Sequence, residues 1–516
     1  MGFKEDADFA RFVSMGAVGA AAVARHLGTQ HGHRMIELER YAMANKVWQT
    51  KVKRLRLPDL LCVRCGLRVE ARAKSKLGIV LSHSDKPGRQ WDAGGMRDDD
   101  LYAFLRADLG TFPPETGLPT FFTTAALRST VEHARRSAPK AASEGSEVTL
   151  TWPCWVPSRH GRFVRIDDRD RIVHREIGGR ERPYWQWRRW PGQRIVYMEP
   201  DEPFEGGETI VAGIVPTPGT LDCAGDTWDL TAAIGNEGDE DETGRYAAIK
   251  ASGACGRLDM HDELVALRAD RSVDWRLRLE AAASLARLHS HRWTDELAEF
   301  VNDGTGAGEQ EMEAVLALSE LPSSRAAEAL MQVAVDADQT SELRSAAAWG
   351  IGQGGSPQTR MLLELVLDGE TMVAIHAIAA IDELTDDVEA VLREWIMGAD
   401  DRRADVGAHL LARHRRIDSL LDACDNGGRS RVRALAALGG LPRETVRIAA
   451  GSRLTHELTS ILEPMWHSRE SWLKTTGQEG LEALEVQKVR FDPVSPGHPW
   501  RTTIKPAQAV ARGLVR

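Results

Sequence analysis

The chain has 516 residues, 42% of them hydrophobic and 28% charged, with a formal net charge of −10. These values fit an ordinary globular protein of roughly two to four domains; they exclude a polycation, so any nucleic-acid contact has to be local. No run is apolar for long enough to span a bilayer, the segment Met15 to Ala24 being short and dominated by Ala and Gly, and six cysteines without a secretory signal lead us to expect a reducing cytoplasm.

In chain order, Phe9 to Leu27 reads as an Ala/Gly-rich helix, and Arg34 to Arg40 alternates apolar and charged residues as a strand or a helix edge does. Leu57-Pro58-Asp59-Leu60-Leu61-Cys62 and Arg68-Val69-Glu70-Ala71-Arg72-Ala73-Lys74 predict two strands, with Val63 to Leu67 of hairpin length between them. On a strand, residues i, i+2 and i+4 share a face, so Glu70, Arg72 and Lys74 point together and the hairpin brings Asp59 beside Glu70. Two such carboxylates suit Mg2+ or Mn2+, which takes a few carboxylate oxygens, keeps several waters, and can activate one of them against a phosphodiester. A neighbouring Lys would stabilise the developing charge or help deprotonate that water. Lys51, Lys53, Arg54, Arg56, Arg64 and Arg68 surround the carboxylates. They suit a polyanion, the alternative being a solvated strand surface.

The Pro58-Asp59 signature followed by Glu70 resembles the PD-(D/E)XK restriction-like nuclease superfamily over roughly the first 150 residues. The resemblance implies an αβββαβ core and metal-dependent cleavage, with Asp59 and Glu70 as metal ligands; Glu37 or Glu39 would join them or lie on a solvated face. The residue two after Glu70 is Arg72, where the superfamily usually has Lys. Arg stays protonated and cannot act as a base, although it can clamp a phosphate. Three readings follow: Lys74 has taken the role, Arg72 supplies charge only, or the domain binds without cutting. Leu77 to Ser84 reads as a further strand, and Asp98-Asp99 as the N-cap region of a helix through Leu105, completing the expected core.

Cys62-x-x-Cys65-Gly66 is half of a structural zinc site. The other half would have to come from Cys154, a His such as His83, or a partner chain; a plain pair of thiols in a tight turn, or a redox pair, are the alternatives. From Val148 to about Leu258 short strand-like runs separated by Pro and Gly predict a β-rich module. In it, Tyr184-Trp185-Gln186-Trp187-Arg188-Arg189-Trp190 reads either as a strand packing its Trp residues or as a base-stacking surface. The acidic run from Glu237 to Glu242 reads as a loop.

Beyond Leu258, Ala-rich segments ending near Leu288, Leu321, Gly352, Leu384, His414 and Leu441 recur about every 30 residues. They resemble short HEAT-type repeats, paired helices that bury their faces against neighbouring pairs and offer a surface to a protein or to nucleic acid. After Ser471 the Pro-containing sequence reads as a tail. The expectation is an α+β multidomain chain: a restriction-endonuclease-like domain (1–147), a β-rich module (148–257), a HEAT-like α-solenoid (258–470) and a tail (471–516). Its expected function is Mg2+-dependent endonuclease action on nucleic acid, DNA first, in restriction, anti-phage defence or DNA processing, with a protein partner on the solenoid and no membrane. The alternative is a non-catalytic HEAT-repeat scaffold. No G-x-x-x-x-G-K-[S/T] loop is present, which disfavours a nucleoside-triphosphatase.

Overall fold

The computed structural model describes residues 6–38, 57–86, 90–92, 95–108, 115–142, 145–235, 242–288, 291–302, 308–353, 359–381 and 383–468. They fall into two compact units, 6–38 with 57–288, and 291–468. The tail, most of the acidic run, and Glu39, Lys51, Lys53, Arg54 and Arg56 lie outside the described residues.

The first unit opens with α1 (Asp6–His31), whose small residues let it lie directly on a sheet. Ala17, Ala20, Val23, Ala24 and Leu27 are buried, and a Cβ at Gly19 would overlap the Cβ of Ala73. Gly32, at φ 70°, turns the chain out of the helix, a left-handed conformation that favours glycine. The sheet follows: β1 (Met35–Glu37), β2 (Leu60–Cys62) and β3 (Arg68–Lys74) run antiparallel. After β4 (Val80–His83), which belongs to another sheet, β5 (Leu101–Asp108) lies parallel to β3. Strands β6 (Glu115–Thr116) and β7 (Thr120–Thr123) then pair antiparallel with β5.

The helix expected through Leu105 is therefore a strand. Leu101 to Leu105 are all buried, because α1 covers one face of β5 and a second sheet covers the other. A strand buried on both faces reads as a continuous apolar run, which periodicity cannot distinguish from a helix. Among the described residues no helix separates β3 from β5, so the expected αβββαβ order is not reproduced there.

That second sheet joins β4 to three strands, β8 (Arg135–Arg136), β9 (Lys140–Ala142) and β10 (Gly145–Thr151). Leu81, Leu150 and Trp152 of this part of the chain pack with Tyr102, Phe104 and Phe122. Residues 154–213 form two smaller sheets around Trp155, Phe163, Ile172, Trp187 and Phe204, whereas 230–235 and 242–254, within the span read as β-rich, are helical. Among the described residues the chain then runs through α2 (Leu230–Gly235), α3 (Glu242–Ala254), α4 (His261–Ala269) and α5 (Trp275–Arg287).

Helices α3 and α5 approach closely because Gly253 faces Ser284, whose hydroxyl donates to the carbonyl of Ile249 at 2.8 Å. A Cβ at Gly253 would lie 2.6 Å from the Cα of Ser284. Gly253→Ala gains up to about 1 kcal/mol of helix propensity, but overpacking against backbone costs about 1–3 kcal/mol. The clash wins, and a lower urea midpoint than wild type is the expected measurement.

The second unit is a succession of paired helices. Its Ala-rich members, α6 (Glu309–Ser319), α7 (Ser341–Ile351), α8 (Thr371–Ala380), α9 (Asp401–Arg413) and α10 (Gly428–Gly439), end within a few residues of the repeat ends read from the sequence. Helix α7 packs on both α6 and α8, and α9 packs on α10. Ser319 and Gly350 meet where α6 and α7 approach. Caps are local: Thr340 accepts from the N–H of Leu343 at 3.2 Å and Asp400 from that of Arg403 at 3.0 Å. His376 is buried with Nδ1 2.7 Å from the carbonyl of Met372, and burial pulls His409 and His414 down to about 4, so these histidines are packing residues. No helix among the described residues is long and apolar enough to cross a membrane.

Candidate functional site

The hairpin reading of residues 59–70 agrees with the geometry. Leu61 pairs with Arg68 and Leu60 with Val69, so Asp59 stands opposite Glu70. The Asp59 carboxylate accepts the backbone N–H of Ala71 at 2.8 Å, which fixes it against β3. Alternation puts Leu60, Cys62, Val69 and Ala71 on the α1 face, and hence Asp59, Glu70 and Arg72 on the other. Glu37 pairs with Leu60 and shares the α1 face with Met35, so it lies across the sheet from Glu70.

Arg72 is the decisive neighbour. Its guanidinium meets the Glu70 carboxylate at 2.6 Å, and Glu70 followed by Asp59 raises its already high pKa, so it stays charged between them. Lys74, two residues further along, is pulled down to about 8, first by burial and then by the charges of Arg72 and Lys140. Its titration follows with a definite sign. Between about 8 and the ordinary lysine value the unfolded chain holds this proton more tightly than the folded one, so Lys74 makes stability rise with pH across that window. Lys74→Met should be more stable than wild type at pH 7 and lose that rise; urea unfolding at pH 7 and pH 9.5 checks both.

The basic surroundings are less available than their sequence suggests. Arg68 is buried and donates to the carbonyl of Gly95 at 2.6 Å, while Arg64 is held by Asp226 at 2.9 Å and the carbonyl of Gly32 at 3.1 Å. The Trp segment is not an alternating strand. The strand ends at Tyr184, a short 3-10 turn covers Gln186–Arg189, and Trp187 is buried with its indole N–H on the carbonyl of Asp170 at 2.8 Å.

The Cys62-x-x-Cys65 turn gains two neighbours, but not those anticipated. His33, just past α1, and Cys223, beyond the β-rich segment, join it, and the four ligand atoms lie within 4.8 Å of one another. Cys62 Sγ is 3.9 Å from Cys223 Sγ, and Cys65 Sγ is 3.6 Å from His33 Nδ1. Cys154 is instead half-buried, packed with Tyr197 against another part of the core, and His83 Nε2 meets Asp85 at 3.2 Å. Neither His33 nor Cys223 carries a local signal, since each stands far from the turn in sequence.

No protein-family model and no curated protein matches this chain. Among solved structures, the complex of CpcE and CpcF of phycocyanin lyase from Nostoc sp. PCC7120 is 16% identical with a TM-score of 0.24, covering 48% of this chain and 99% of that one. YibA of E. coli is 15% identical with a TM-score of 0.25, covering 47% of this chain and 90% of that one. Likenesses of this size carry no inference about fold or activity, so the class defined here rests on the chain's own geometry: a mixed α+β protein with C-terminal helical repeats.

Proposed function

We propose that this protein works by binding, as a helical-repeat scaffold that holds a protein partner on its C-terminal helices while the N-terminal α/β unit engages without cutting. The observation that carries this reading is the 2.6 Å ion pair between Arg72 and Glu70. A guanidinium beside the second carboxylate neutralises the charge a divalent cation would use and cannot deprotonate a water. Stacked helix pairs expose side chains of successive repeats at regular intervals, which suits an extended partner.

A second reading, Mg2+- or Mn2+-dependent endonuclease action, is favoured by a different observation. Asp59, immediately before β2, is held against β3 beside Glu70 through the N–H of Ala71, and the strand bearing Glu70 has a parallel neighbour on its far side. In that reading the two carboxylates bind metal, Arg72 contacts phosphate, and Lys74 assists the water or the phosphate.

One experiment separates them. Plasmid, linear duplex, single-stranded DNA and RNA are incubated with Mg2+ or Mn2+ and wild type, Asp59→Ala, Glu70→Ala, Lys74→Ala or Arg72→Lys, with Mn2+ binding followed in parallel. The scaffold reading expects no cleavage by any of the proteins and Mn2+ binding indifferent to Asp59→Ala. Cleavage by wild type that disappears in Asp59→Ala and Glu70→Ala overturns it in favour of the nuclease, and cleavage gained only in Arg72→Lys would identify the guanidinium as the block.

A further inference from the structure

We propose that His33, Cys62, Cys65 and Cys223 together bind one structural Zn2+, which fastens three separate segments of the first unit. Zinc takes about 2.3 Å to sulfur and about 2.0–2.1 Å to imidazole nitrogen, and tetrahedral geometry then separates neighbouring ligand atoms by roughly 3.5–3.8 Å. The observed 3.9 Å between Cys62 and Cys223 and 3.6 Å between Cys65 and His33 lie at that spacing. A disulfide requires sulfurs about 2.05 Å apart, so these thiols are arranged around a common point and are not a bonded pair.

The second observation is the imidazole. His33 is buried, and its Nε2 lies 2.8 Å from the carbonyl of Leu221. With Nε2–H donating there, Nδ1 keeps its lone pair towards the thiols, and backbone carbonyls commonly orient metal-bound histidines in this way. A bound Zn2+ would stabilise the three crowded sulfurs together as thiolates.

The backbone is already shaped for the ion. Gly66, at φ 73°, closes the turn; its N–H donates to the carbonyl of Cys62 at 2.9 Å, and the N–H of Cys62 donates to the carbonyl of Leu67 at 2.8 Å. The incoming segment docks by Cys223 N–H to the carbonyl of His31 at 2.8 Å and Trp228 N–H to the carbonyl of Arg64 at 3.2 Å. Arg64 reaches Asp226 and Gly32 from the same turn. The ion would therefore tie the end of α1, the β2–β3 hairpin and the stretch 221–228 into one cluster. Three Cys and one His, with no fifth donor group among the described residues, match a closed structural zinc site and not an open catalytic one.

The test uses full-length protein purified without chelator. Expected are one zinc per chain by elemental analysis and, after exchange to Co2+, the visible bands and thiolate charge-transfer absorption of a tetrahedral sulfur-rich site. Cys62→Ser and Cys223→Ser should drop zinc towards zero, Cys154→Ser should keep it, and chelation should expose the 217–228 stretch to protease. Wild type that carries no zinc and gives no tetrahedral Co2+ spectrum overturns the proposal whether or not the variants fold. So do zinc retained in full by Cys223→Ser, and a disulfide among these cysteines in native protein.

Discussion

Asp100→Ala is expected to cost about 3–5 kcal/mol of stability, the usual loss when one partner of a buried charge pair is removed. Asp100 is fully buried at the start of β5 and accepts the backbone N–H of Arg68 at 3.2 Å, the backbone N–H of Arg97 at 2.7 Å and the Arg97 guanidinium at 2.9 Å. Burial pushes its carboxyl up, while Arg97 and Arg68 act against that. Truncation strips the carboxylate from Arg68, itself 1% exposed, and from the backbone donors at the junction of β3 and β5. Asp100→Asn keeps the shape and some acceptor capacity, so it should cost distinctly less. Urea unfolding of wild type and both variants decides it. A loss below about 1 kcal/mol for Asp100→Ala would mean that water replaces the carboxylate at little cost.

Trp152→Ala should be of similar size, about 3–5 kcal/mol, for a different reason. Trp152 is fully buried, meets Trp91 edge-on with ring centroids 5.7 Å apart, and donates its indole N–H to the Thr130 hydroxyl at 3.1 Å. Truncation leaves a large cavity against Ile79, Tyr102 and Leu150 together with an unused acceptor at Thr130. Trp152→Phe refills most of the volume and should recover most of the loss. Calorimetry on the three proteins separates the cavity contribution from that of the hydrogen bond; equal losses for Ala and Phe would place the effect in the indole N–H alone.

Much of the fold was legible in short windows. The Ala/Gly helix before the sheet, the β2–β3 hairpin and the recurring Ala-rich helices all follow from composition and period over ten or so residues. The reading failed at Leu101 to Leu105, where burial on both faces erased the alternation that marks a strand. It also failed at the Trp segment, where aromatic residues that suggest a strand serve a turn folded onto Asp170.

The sequence by itself determined the local pieces and the chemistry they carry: two carboxylates on adjoining strands, a thiol pair in a Gly-closed turn, and a repeat that packs on itself. Their surroundings were decided only by tertiary structure. Arg72 and Glu70 share one face of β3, but that their side chains meet is set by the folded sheet, which leaves Glu70 largely covered and Arg72 exposed. Cys223 reaches Cys62 across 161 residues, and His33 reaches Cys65 across 32, through no shared spacing. Periodicity reports which face a residue occupies; which distant segments share that face depends on how the whole chain closes, and no local window contains that closure.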